Sequence, residues 1–391
     1  MSKERKLSFG DKRVTIAALA LLIFGSLMIA SAEMGNSAGD TSYLTGVITR
    51  QLIYGIAGLF AYFALMNFPA QNIRLFLAWA FYLGIMAALI ACRFFGQING
   101  AYAWISIGAG ATIQPSEFAK VFMIIMACRL LGRDHKEKNE RRFWTFAICT
   151  IIYTFIILVI QHDLGSAVVL FVMCYCMAML ATYKELNKIQ RWLTILVILV
   201  VWLAFIALSP PVTEFMKKHA DNYMIGRFLA AADPFLYQYD NGYHIIMSMV
   251  SFANGGWFGL GYGNSIHKYM NFPNPSNDFI LPVIVEELGI LGFLGLVIMY
   301  GVLLYPMISA SLKAKRMVSK MVLLGVFMYF ILHFILNVGG VSGLIPLTGV
   351  PLLMVSSGGS SLVASMASLG LAQNELIRIR KENDEDHSGQ I

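Results

Sequence analysis

The sequence predicts an all-α polytopic membrane protein, and three observations carry that prediction. Of 391 residues, 58% are hydrophobic and only 13% charged, whereas a soluble domain carries about one-quarter charged residues. The mean hydropathy is +0.68. The apolar residues gather in runs of about 16 to 22, the length of a membrane helix and twice the roughly 10 of a membrane β-strand.

Ten spans follow in order, at residues 14–32, 51–67, 75–95, 116–131, 143–160, 164–182, 192–208, 287–308, 321–338 and 361–377. The first follows a basic cytoplasmic head, 1–13, and ends at Ser31-Ala32-Glu33, a poor cleavage site, so it is expected to stay as an anchor. Arg74 marks the short turn between the second and third spans. Pro115 with Ser116 is a helix start for the fourth. The run 143–182 is too long for one helix, and Gln161-His162-Asp163-Leu164-Gly165 divides it at a tight hairpin. A large loop, 209–286, separates the seventh and eighth spans. Within it, 243–252 (YHIIMSMVSF) is apolar but too short to span, which reads as an interfacial or re-entrant helix. After the tenth span the tail 378–391 is cytoplasmic, and its polar end, from Glu382, is expected to be disordered. Residues 14–377 thus form a single membrane domain.

The net charge of +7 invites a nucleic-acid reading, which its distribution rejects. Twenty-one of the 29 Lys and Arg residues fall in the head, the tail and alternate loops, as the positive-inside rule requires of the cytoplasmic side. Asp163, the 96–115 loop, the 209–286 region and the 338–360 loop are then expected to face outward. The five cysteines lie in or beside apolar runs, without metal-ligand spacing. Gly259–Gly263 (GLGYG) lacks the flanking strand and helix of a dinucleotide site.

The ionisable residues inside this oily chain are the candidates for chemistry. Glu117 and Lys120 lie one turn apart on the fourth span, and charges at that depth face the bundle interior and pair. They read either as a lock between helices or as holders of an anionic head group. Asp163 reads as the cap of the sixth helix or as a site residue, and His162 as a packing residue. Arg227 and Lys268 read equally as snorkelling cations and as diphosphate contacts. Asp278 follows Ser276-Asn277, good helix-capping residues that give it a bland reading, yet Glu286 and Glu287 lie two turns on. On a helix Asp278 and Glu286 sit about 80° apart, within reach of one groove.

Together these stretches resemble the FtsW/RodA/SpoVE (SEDS) family. The matching segments are QPSEFAK (114–120), the Asp-Leu-Gly of QHDLG (161–165), GYHIIMSMVSFANGGWFGLGYG (242–263), DFILPVIVEELGILG (278–292) and GLIPLTGVP…SGGSS (343–361). The resemblance extends from about residue 11 to 377 and is closer to the FtsW-like division branch. It implies a peptidoglycan glycosyltransferase that polymerises lipid II on the outer face of the cytoplasmic membrane, with Asp278 the essential carboxylate. Its partners would be lipid II, the growing lipid-linked glycan chain, a class B penicillin-binding protein and division proteins. The chain departs from the family pattern at Ala103, where arginine is usual, and at His162, Ser276, Thr348 and Ser357.

On that reading Asp278 is a general base for the acceptor hydroxyl, in an inverting transfer. The leaving diphosphate needs cations or a divalent Mg or Mn ion, and no nucleotide or organic cofactor is expected. Arg227, Lys268 and Lys120 are the available cations, with Glu286 to position the base or bind the ion. The alternatives are a flippase for lipid-linked oligosaccharide, an elongation-type (RodA-like) polymerase and a non-catalytic scaffold.

Overall fold

The computed structural model describes residues 10–37, 40–68, 73–98, 100–108, 111–132, 140–181, 187–207, 209, 212, 223–239, 241–270 and 275–388. Each of the ten predicted spans coincides with a helix: α1 Lys12–Ser37, α2 Thr41–Met66, α3 Leu75–Ala91, α4 Pro115–Leu130, α5 Glu140–Phe155, α6 Leu164–Met179 and α7 Asn187–Ala207, then, after two shorter helices, α10 Ile280–Lys313, α11 Met317–Val341 and α12 Gly359–Ser388. The shorter two are α8, Tyr223–Ala232, and α9, Asn241–Gly255. Six of the long helices are long and apolar enough to cross a membrane by length and composition.

The outside of the bundle is oily as well as its core. Phe60, Phe76 and Leu312 are each more than three-quarters exposed. Such a surface would aggregate in water and is at home in hydrocarbon. Inside, α4 is buried on almost every face, because α3, α5, α6, α11 and α12 all pack around it. Buried Met123, Ile124, Met126, Met173, Met177 and Val326 fill that centre. Helix α12 lies along α2, and α1 along α10. Helix α7 hangs on α6 through Gln190, whose Nε2 donates to the Ala178 and Ala181 carbonyls at 3.2 and 2.7 Å, and its Trp192, Ile198 and Trp202 face outward.

Four features depart most from the sequence reading. Helix α2 begins ten residues early, because Asp40 caps it by accepting from the Ser42 amide at 2.8 Å. The 96–115 loop holds a β-hairpin, β1 Ile105–Gly108 with β2 Ala111–Ile113, so the fold is not wholly helical. The tail expected to be disordered continues α12 as helix to Ser388, with Arg316 Nη1 and Glu382 Oε1 paired at 3.1 Å. Helix α10 begins at Ile280 and is broken at Gly289, whose φ of 68° and ψ of −169° suit only glycine.

The break is spliced by the glycine-rich segment after α9. Leu260 and Gly261 amides donate to the Glu286 and Glu287 carbonyls at 2.9 Å, and Ile290 and Leu291 amides donate to Gly256 and Trp257 carbonyls at 2.9 and 3.2 Å. A Cβ at Gly289 would lie 2.4 Å from the Trp257 backbone.

Candidate active site

The loops expected to share one side do meet at one end of the bundle, around a cavity of about 440 Å³. Residues at the starts of α4 (Gln114), α6 (Asp163, Leu164) and α12 (Gly359, Ser360, Ser361) line it, together with the turn before α10 (Asn277, Asp278). Each helix start brings the positive end of its dipole to the cavity, which favours negative charge there.

Asp278 sits in that turn, outside the helix. Asn337 on α11 donates to its carbonyl at 2.9 Å and, with the same amide nitrogen, to the Val350 carbonyl at 2.9 Å. The backbone of that turn is thereby fixed to the 350 loop. The half-buried carboxyl of Asp278 is pushed up to about 7, chiefly because burial strips water from its charged form, with Asp163 adding repulsion and Arg227 opposing both. Arg227, on α8, is held by its Nη1 donating to the Leu347 carbonyl at 3.0 Å. A Cβ on Gly349 would lie 3.5 Å from Asp278 Oδ2 and 3.7 Å from Arg227 Nη1, so the two charged groups flank one glycine.

Asp163 is the cap of α6 and also lines the cavity. It caps α6, its Oδ1 accepting from the Ser166 amide at 3.0 Å, and its Oδ2 accepts from Gln114 Nε2 at 3.1 Å at the cavity wall. His162 packs edge-on against Tyr102, which carries Arg93 over its ring at 3.8 Å. Thr348 lines the cavity too, and its Oγ1 is buried with no hydrogen-bond partner.

The other predicted site residues lie elsewhere. Glu117 and Lys120 are fully buried in the bundle and pair at 2.7 Å. Tyr329 donates to Glu117 at 2.6 Å, and Lys120 donates to His333 Nε2 at 3.2 Å. His333 Nδ1 in turn donates to the carbonyl of Pro351, a cavity residue. The pair therefore braces the cavity floor without lining it. Lys268 is taken up by Glu287 at 2.8 Å, Ser31 at 3.0 Å and the Gly263 carbonyl at 2.7 Å. Glu286 accepts from Ser265, from His267 Nδ1 at 2.6 Å and from Asn254 at 3.2 Å. Lys268 and Glu286 thus balance a buried cluster apart from the cavity, and Asp278 and Glu286 do not share a groove, because the helix starts only after Asp278.

Among the described residues no group of three His, Cys, Asp or Glu side chains is arranged to hold a metal ion. These residues do not fit a Mg or Mn ion held by protein side chains alone. Sequence reasoning passed over Glu33, Tyr43 and Arg50, which line the cavity from α1 and α2. Glu33 lies just past the end of the first span, 14–32, where a lone carboxylate carries no signal of a site.

A multi-pass membrane protein with a neutralisable carboxylate beside fixed positive charge is the class these features define. The sequence profile of the FtsW/RodA/SpoVE family, described as cell cycle protein, matches residues 12–383. The chain is 30% identical over 378 residues to a probable peptidoglycan glycosyltransferase FtsW of Bacillus subtilis (strain 168), covering 95% of this chain and 91% of that one. It is 30% identical over 372 residues to stage V sporulation protein E of the same organism, covering 93% and 96%. Among solved structures, a chain of a peptidoglycan synthase complex that coordinates polymerization and crosslinking superposes with a TM-score of 0.71 at 25% identity, covering 95% of this chain and 98% of that one. The rod shape determining protein RodA of Thermus thermophilus superposes with a TM-score of 0.63 at 23% identity, covering 95% and 98%, a likeness of fold. The chain belongs to the FtsW/RodA/SpoVE family.

Proposed function

We propose that this protein is a peptidoglycan glycosyltransferase that polymerises lipid II on the outer face of the cytoplasmic membrane, with Asp278 as general base. The observation that carries the reading is the cavity itself, which sets a carboxyl of pKa about 7 beside Arg227 where three helix starts converge. A base poised near the working pH is partly ionised yet basic enough to take a proton.

Asp278 removes the proton from the acceptor sugar hydroxyl as that oxygen attacks the anomeric carbon of the lipid-linked donor. The bond from that carbon to the diphosphate oxygen breaks, and configuration inverts. The diphosphate leaves as an anion needing no proton, provided its charge is met. Arg227 and the positive dipole ends of α4, α6 and α12 meet it, in a site organised before the reaction. The proton on Asp278 then passes to water in the cavity.

Ten spans with both ends inside bring the cavity loops to the outer face, where lipid II is displayed. Division is the favoured setting because the relatives named FtsW lie at 30% identity over most of the chain. Likeness to a chain of a peptidoglycan synthase complex supports a class B penicillin-binding protein as partner. A flippase needs a polar path to the far side. The polar column under the cavity stops at Glu117, and beneath it Gly325 closes against Ile124 and Met177 in an apolar core.

The test is polymerisation of purified lipid II by the purified protein, alone and with the partner. Wild type should form glycan strands, and Asp278→Ala should lose about 10² to 10⁴ of the rate. Folded Asp278→Ala protein that polymerises at the wild-type rate would falsify the base assignment. Lipid translocation without strand synthesis would turn the reading to a flippase.

A further inference from the structure

Two residues upstream of Asp278, the turn is held a second time, by a carboxylate on another helix. Glu33 stands in the last turns of α1, 9% exposed, and lines the cavity. Its Oε1 accepts from Ser276 Oγ in a very short hydrogen bond. Its Oε2 accepts from Tyr43 Oη at 2.8 Å and from Asn36 Nδ2 at 3.0 Å. Ser276 is itself buried, and its carbonyl accepts from the Ser357 amide at 2.7 Å. The turn is therefore fixed upstream by Glu33 and Ser357 and downstream by Asn337.

We infer that Glu33 is a positioning residue for Asp278, setting through Ser276 the reach of the Asp278 carboxyl into the cavity. The inference rests on the reading of Asp278 as general base. The Glu33–Ser276 hydrogen bond joins two buried side chains, where the low local dielectric strengthens it. Breaking it leaves the turn held through the Ser276 and Asp278 carbonyls alone, with none of its own side chains bonded to α1. A shift of about 1 Å at a reacting group costs up to 10²-fold in rate. Glu33 does not touch Asp278, so its effect passes through the turn.

Ser276→Ala removes the bond and leaves Glu33 with its Tyr43 and Asn36 donors, so the fold is retained. Polymerisation of purified lipid II by this variant is expected to show a kcat about 10-fold or more lower with KM within about 2-fold. The acid limb of its pH profile should move below about 7, because a released carboxyl regains water. The charged and titratable groups around Asp278 stay in place: Arg227 and Asp163 beside it, Glu33, Arg50, His162, Tyr43 and Tyr54 across the cavity. Ser276→Thr, which keeps the hydroxyl, should restore rate and profile. Glu33→Ala with Ser276→Ala should be no slower than Glu33→Ala alone, the signature of one shared interaction. Wild-type kcat and pH profile in Ser276→Ala, beside an inactive Asp278→Ala, overturn the positioning role and leave the base standing. An active Asp278→Ala removes the base and the inference with it. A change confined to KM overturns it in favour of direct substrate contact.

Discussion

Replacing Arg227 with methionine should move the pH at which the protein becomes active upward, and replacing Asp163 with asparagine should move it downward. The two charges act on Asp278 with opposite sign, Arg227 more strongly. Asp278 Oδ2 and Arg227 Nη1 lie within 3.5 and 3.7 Å of one point above Gly349. Their separation is therefore at most about 7 Å, where opposite charges at an effective dielectric of about 20 attract by roughly 2 kcal/mol. Removing that attraction raises the midpoint for Asp278 from about 7 by between about one and two pH units. Asparagine at 163 still caps α6, so that variant tests charge without unmaking the helix. The assay is the initial rate of glycan formation from lipid II in vesicles, from about pH 5 to 10, fitted for the acid limb of kcat/KM. The amplitude for Arg227→Met falls as well, through loss of leaving-group stabilisation, but amplitude and midpoint are read separately. Midpoints that stay put, or that move in the same direction in both variants, would refute the assignment of the titrating group to Asp278.

Other outcomes follow from the buried charges and the broken helix. A carboxyl raised in the folded state favours folding only while it stays protonated, so this contribution is lost as pH rises from about 4 to about 7. Asp278→Asn should therefore stabilise the fold at pH 8 by no more than about 4 kcal/mol and leave stability unchanged near pH 4, read in thermal melts in detergent as a higher Tm at pH 8 only. Lys120→Met strands Glu117 in the core and should cost about 3–5 kcal/mol, with Glu117→Gln added to it recovering part of the loss in melts. Gly289→Ala forces a Cβ into the Trp257 backbone at a left-handed position, and should lower Tm more than Ala at Gly295, which has open space around it. Salt should hardly change the stability lent by the Lys268–Glu287 pair, which is fully buried, and Lys268→Met should be as destabilised at high ionic strength as at low.

Apolar run length located the ten helices well, because burying or lipid-facing residues in a helix leaves a one-dimensional trace. Hydrogen-bond partners left none. Glu286 and Glu287 look in sequence like the polar edge of a loop, and the start of α10 was set seven residues late for that reason, yet Ser265, His267, Lys268 and Ser31 neutralise them inside the fold. Lys268 was a plausible diphosphate ligand until its partner was visible. In sequence Asp163 reads first as a helix cap and Arg227 equally as a snorkelling cation or a diphosphate contact, and the cavity brings both to Asp278. Asp278 itself was legible mainly through family resemblance, since its neighbours Ser276 and Asn277 read as an ordinary cap. Glu33 was missed because a single carboxylate ending an apolar run is what any span looks like, and its link to Ser276 crosses 243 residues.

The splice at Gly289 bears on how the chain enters the bilayer. Four backbone groups freed by the break are met by residues 256–261, and the Glu286 and Glu287 side chains by residues 254–268 and Ser31. An inserting segment that carried residues 280–313 alone would bring two bare carboxylates and a gap in its hydrogen bonding into hydrocarbon, each costing several kcal/mol. The 254–268 stretch and the helix after it thus depend on each other for their polar groups in hydrocarbon, and the half of α10 before Gly289 takes its direction from both.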